Sequence, residues 1–167
     1  MNTKIYIPAI GASFICLLSC CSAQDLNIFK STIAGSWYPS DPEALRQQIS
    51  SFIDKAPDAK VEEQIISVLL PHAGYVYSGQ LAMDALKQLK KSYKTVILIG
   101  PSHQVYMKNT FSVPLYDGYQ TPLGTVPSNK SLLESLLKNK VFRDMPEALE
   151  NEHSVQIEIP LLQTVLK

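Results

Sequence analysis

Ile65-Ile66-Ser67-Val68-Leu69-Leu70, ended by Pro71-His72, and Thr95-Val96-Ile97-Leu98-Ile99, ended by Gly100-Pro101-Ser102-His103, decide the reading of this chain. Each is a short, almost wholly apolar run bounded by turn formers, the pattern of a strand buried on both faces of a parallel sheet. Between them Leu81, Ala82, Ala85, Leu86 and Leu89 recur at helical spacing with Lys on the outer side. Strand, helix and strand at this distance predict a βαβ unit with a right-handed crossover. The expected fold class is therefore α/β, a mostly parallel sheet with flanking helices.

Working outward, Ala34-Gly35-Ser36-Trp37-Tyr38-Pro39 is dense in turn formers and aromatics. Ser40 is placed to cap the next helix, with Glu43 completing a capping box and Pro42 in the first turn. Leu45, Ile49, Phe52 and Ile53 give that helix its apolar face, and it should stop before Pro57. Further on, Thr110 to Val113 reads as strand and Tyr116 to Pro127 as a loop. Ser128 is the expected cap of a helix whose core face holds Leu132, Leu133, Leu136 and Leu137. Glu152 to Leu166 is ambiguous by periodicity. A helix from about Ser154 is favoured, disturbed at Pro160, where a backbone donor is missing.

The amino terminus reads as an address. Lys4 precedes the apolar run Ile5 to Leu18, which is interrupted by Pro8, Gly11 and Ser13, and no acid occurs before Asp25. That layout is a secretory signal, too short and broken for a comfortable membrane span. Leu17-Leu18-Ser19-Cys20 resembles a bacterial lipobox, with cutting before Cys20 and lipid attached there. An ordinary signal cut near Ala23 is the alternative. Acyl chains would tether the mature body to a membrane of the bacterial envelope at about 0.8 kcal/mol per buried methylene. The expected organisation is a signal segment over 1–23, a short linker over 24–31 and one domain over 32–167.

Composition excludes several functions. The 167 residues carry 15 basic and 15 acidic side chains, a formal net charge of zero. No basic run exceeds Lys90-Lys91, so there is no electrostatic footprint for nucleic acid. The cysteines Cys16, Cys20 and Cys21 all precede the body, which excludes a disulfide framework or Cys-rich zinc site there. Ser102 has no nucleophile-elbow context, and glycine-rich phosphate loops are absent.

What remains is histidine. In a parallel sheet the loops after the strands share one rim, where ligands bind. His72 follows the first strand and His103 the second, so both reach the same crevice. Neutral imidazole is the commonest metal-binding side chain, and a pair with open positions suits metal-assisted chemistry. Tyr75 and Tyr77 would wall the pocket. The third histidine, His153, is flanked by Glu152 and followed by Glu158, carboxylates able to orient or complete a site.

These stretches match a known set. Ala34-Gly35-Ser36-Trp37-Tyr38-Pro39, Pro71-His72-Ala73-Gly74-Tyr75, Tyr77-Ser78-Gly79, Gly100-Pro101-Ser102-His103, Thr121-Pro122-Leu123-Gly124 and Glu152-His153-Ser154 occur in the order found in the Memo family (AmmeMemoRadiSam system protein B). The chain resembles the amino-terminal part of that family from about Thr32 onward. The resemblance implies a fold like that of class III extradiol dioxygenases, with His72 and His103 on the family's metal-site histidines. It also implies iron (Fe2+) or copper as cofactor and a functional link to radical-SAM and AMMECR-type proteins. Family members are longer, so the domain is expected to be truncated at its carboxyl end, without the family's later aspartate, histidine and cysteine.

Two functions compete at this point, with an inactive fragment as a third. One is a metal-dependent, dioxygenase-like enzyme, with His72 and His103 on the metal, Glu152 or Glu158 as carboxylate and His153 as general base. The other is a non-catalytic module that uses Tyr75, Glu152 and the histidines to hold a metal, peptide or partner.

Overall fold

In the computed structural model, residues 25–59, 61–89 and 92–166 are described. The expected signal segment and its Cys20 therefore lie outside the described residues. Helix α1 spans Pro42–Lys55 and α2 spans Tyr75–Leu86. The two pack together and make most of the core. Leu45, Ile49 and Phe52 of α1 are buried, as their spacing predicts, against Tyr75, Ala82, Met83 and Leu86 of α2. The cap of α1 is Asp41, not Ser40: Asp41 Oδ1 accepts from the amide of Ala44 at 2.8 Å. Asp is as good a cap as Ser, and its position puts Pro42 at the start of the helix, where no amide is needed.

Helix α2 begins six residues before the predicted apolar stripe, directly after Gly74. Gly79 thus sits inside the helix. A Cβ there would stand 2.6 Å from Phe52 Cε2, so the glycine is what lets α1 and α2 approach.

The sheet is small. Strand β1 (Ile28–Lys30) pairs parallel with β3 (Gly118–Thr121), which pairs antiparallel with β4 (Gly124–Pro127). A second, two-stranded parallel sheet joins β2 (Phe111–Ser112) to β5 (Phe142–Arg143). Strand β1 lies in the stretch read as a polar linker, and the β3–β4 hairpin lies in the stretch read as a loop. Both are short, and their alternation is masked by Gly, Pro and Tyr. The α/β class holds, and the parallel character holds in part.

The two apolar runs that defined the predicted βαβ unit are not paired strands. Residues 65–70 and 95–99 run without a ladder partner among the described residues. Most of their side chains face outward: Ile66 is 94 % exposed, Leu69 98 %, Ile97 68 % and Ile99 79 %, while Leu70 is half-buried against the core. An apolar run has strand propensity, but a strand exists only through hydrogen bonds to a neighbour. Here no such neighbour is supplied.

Helix α3 is Lys130–Leu136, capped by Asn129 rather than Ser128, and none of its residues is fully buried. The short α4 (Glu147–Glu150) leads into the segment carrying Glu152 and His153. A 3-10 turn over Gln156–Glu158 then runs into α5, Ile159–Val165. Pro160 stands in the first turn of α5, so it starts the helix and does not disturb it. No described helix is long and apolar enough to cross a membrane.

Candidate metal centre

Three loops converge beside the core. His72 lies just before α2, His103 follows the extended segment 95–99, and His153 precedes the 3-10 turn. The ring centroids stand 5.2 Å apart for His72 and His103, 5.2 Å for His72 and His153, and 4.7 Å for His103 and His153. One nitrogen from each ring lies within 4.8 Å of the others. Nδ1 of His72 and Nε2 of His153 share a hydrogen bond of 3.3 Å.

Glu152 sits behind the histidines with its side chain only 4 % exposed. Its Oε2 accepts from the backbone amide of His103 at 2.6 Å. Its Oε1 accepts from the amide of Ser154 at 2.9 Å and meets Nδ1 of His103 at 2.9 Å and Nδ1 of His153 at 3.5 Å. Burial opposes charge on this carboxyl, but the donors from His103 and Ser154 prevail and hold it down to about 2. It is therefore a carboxylate at any ordinary pH. Burial pulls His153 the other way, below the usual histidine range. Glu152 resists that pull, while His103 and His72 add to it.

The loop carrying His103 is pressed against this segment. A Cβ on Gly100 would collide with the Ser154 hydroxyl, which donates to the carbonyl of Pro101 at 3.0 Å. Gln156 anchors the segment from below. Its amide donates to the carbonyls of Glu152 at 2.8 Å and Leu149 at 3.1 Å, and its oxygen accepts from the amide of Thr32 at 3.0 Å.

Of the predicted site residues, His72, His103, His153 and Glu152 come together. Tyr75 does not face them: it is buried in the core, and its hydroxyl donates to the carbonyl of Ile157 at 3.0 Å. Tyr77 points to solvent from α2. Glu158 is buried, and its Oε2 has no hydrogen-bond partner among the described residues. Burial pushes its carboxyl up to about 7. Ser102 donates to the carbonyl of Val105 at 2.7 Å, a turn contact and not a nucleophile's.

Sequence reading assigned no site role to Trp37 or Gln156. Trp37 stacks on the His153 ring, centroids 4.2 Å apart and planes inclined by 23°. Its carbonyl accepts from the amide of Tyr75 at 3.0 Å, which ties the two loops. The available signal was that the chain's single tryptophan falls in a turn-rich loop and not in a periodic element. A separate apolar concavity of about 890 Å³ is lined by segment 93–98, β4, α3 and α5, and no histidine borders it.

The donor set fits a metal ion. Two nitrogens bound to one tetrahedral ion at ~2.0–2.1 Å stand about 3.3–3.4 Å apart, close to the His72–His153 separation. His103 is the most exposed of the three.

Comparison with known proteins agrees with the geometry. A family model for Memo-like proteins matches residues 30–167. A MEMO1 family protein (TV1383) of Thermoplasma volcanium is 38% identical over 138 residues, covering 81% of this chain and 50% of its own length. A MEMO1 family protein of Aquifex aeolicus is 33% identical over 138 residues, covering 83% and 50%. The MEMO1 family protein MHO1 of Saccharomyces cerevisiae is 30% identical over 152 residues, covering 85% and 45%. The chain thus spans about half the length of these relatives. By its family match, its motifs and their arrangement, the chain belongs to the Memo family.

Proposed function

We propose that this chain is a metal-binding protein of the AmmeMemoRadiSam system protein B type, whose His72, His103 and His153 hold one iron(II) or copper ion. The pocket is of the kind found in non-haem iron extradiol dioxygenases. The observation that carries this reading is the convergence of one nitrogen from each of three histidines, delivered by three separate loops, within 4.8 Å. Imidazole donors suit iron, copper and zinc alike. Bound there, the ion would supply an electrophilic centre with open positions for a substrate oxygen.

The chain's own groups have distinct tasks. Burial keeps His153 neutral and fit to donate its lone pair. Its nitrogen lies with those of His72 and His103, which supports a metal-binding role for it. Trp37 covers one face of His153 and excludes water from that side. Glu152 holds the loop of His103 through the backbone amide.

The test is elemental. The purified chain should carry about one iron or copper ion, and a His72→Ala/His103→Ala variant should carry none. A folded sample that binds no metal contradicts the proposal.

A second reading, binding without turnover, is favoured by the engagement of Glu152. Its oxygens already meet donors from His103 and Ser154, so it is not available as the carboxylate of a two-histidine, one-carboxylate site. Catechol ring opening by the iron-loaded chain would exclude that reading. The lipobox-like stretch ending at Cys20 supports export and lipid attachment to a bacterial envelope. The resemblance to the system supports a link to radical-SAM and AMMECR-type proteins. Release of a Cys20→Ser variant from the membrane fraction is the expected outcome.

A further inference from the structure

The geometry points to Glu152 as the positioning residue that sets the tautomers of two histidines at once, so that both present Nε2 to the site. This inference rests on the metal-binding reading above for its purpose, but not for its geometry. The single atom Oε1 of Glu152 lies 2.9 Å from Nδ1 of His103 and 3.5 Å from Nδ1 of His153. A carboxylate only accepts, so the hydrogen bond puts the ring proton on Nδ1 of His103, and the negative charge of the same oxygen, 3.5 Å away at ion-pair distance, disfavours a lone pair on Nδ1 of His153. The free lone pair of each ring is then on Nε2. In His153 that nitrogen is the one facing Nδ1 of His72, 3.3 Å away. His72 must therefore be the donor of that hydrogen bond, with its proton on Nδ1. The three rings are not equivalent in the metal-free chain. His103 and His153 are preset, and only His72 has to move its proton from Nδ1 to Nε2, which frees the lone pair of Nδ1 for an ion.

The carboxylate is itself fixed. Backbone amides on both sides hold its oxygens, and Gln156 ties its backbone carbonyl. A residue locked from its own main chain and by its neighbours is suited to orient others. Orientation of metal-binding imidazoles by such partners is worth about 10–100-fold in metal affinity.

Two measurements test this separately from the metal-binding reading. In the metal-free chain labelled with 15N-histidine, long-range proton–nitrogen correlations should show Nδ1 protonated on His103, His153 and His72. A His103 or His153 ring protonated at Nε2 overturns the inference whatever the metal does. In parallel, titration with Cu2+ should give a dissociation constant about 10–100-fold weaker for Glu152→Gln than for the parent. Equal affinity in a folded variant overturns it as well. A parent that binds no Cu2+ yet shows the expected tautomers sinks the metal reading and leaves the role of Glu152 standing. Should Glu152→Gln fail to fold, the tautomers of the parent still decide.

Discussion

Two regions of this molecule rich in large apolar side chains have opposite fates. In α1 and α2, Leu45, Ile49, Met83 and Leu86 are wholly buried. In segments 65–70 and 95–99, Ile66, Leu69, Ile97 and Ile99 stand in solvent. The difference is the source of the partner. A helix satisfies its own backbone and needs one apolar face to meet another, and α1 and α2 pack directly against each other. A strand needs a neighbour for its backbone and cover for both faces, and neither is present among the described residues. Apolar content reports what a segment requires, and burial reports whether the requirement is met. The candidate metal centre lies on the seam: His72 and His103 follow the exposed segments, while Glu152 and His153 come from the packed side.

The contrast can be broken by substitution. Leu45→Ala should cost about 2–5 kcal/mol in a denaturant titration, because a fully buried leucine leaves a cavity. Glu158→Gln should stabilise on the order of 3 kcal/mol at pH 8. Between the ordinary 4.5 and about 7, the folded chain keeps a proton on Glu158 that the unfolded chain releases, so stability falls as pH rises through that window. The advantage of the Gln variant should therefore vanish near pH 4, and a pH-independent difference would contradict the burial of this acid. Gly79→Ala should cost about 1–3 kcal/mol, since its methyl meets the ring of Phe52. Leu69→Ala should change stability by less than about 0.5 kcal/mol. A loss as large as that of Leu45→Ala would mean that segment 65–70 is buried in solution, and the comparison would fail.

The legible parts of the sequence were those governed by local rules. The buried face of α1 follows from the spacing of Leu45, Ile49 and Phe52. The convergence of His72 and His103 was inferred from a shared sheet rim, and the structure brings the two together although the sheet itself is not formed there. Gly100 packing on Ser154 and the Glu152 contacts bring His103 to the segment of His153, and His72 meets His153 through a hydrogen bond of 3.3 Å. That pairing spans 49 residues and leaves no periodic trace. The stacking of Trp37 on His153 was illegible for the same reason: a contact between two loops depends on where both are carried. Strands β1, β3 and β4 escaped because three or four residues are too few for alternation to show.

The most direct test of the three-histidine centre is the count of imidazole ligands on the loaded metal by X-ray absorption, compared between the parent chain and His153→Ala. Three imidazoles in the parent and two in the variant, with affinity reduced at least about tenfold, is the predicted result. Two imidazoles in both, with unchanged affinity, would place His153 outside the metal site and contradict the centre described above.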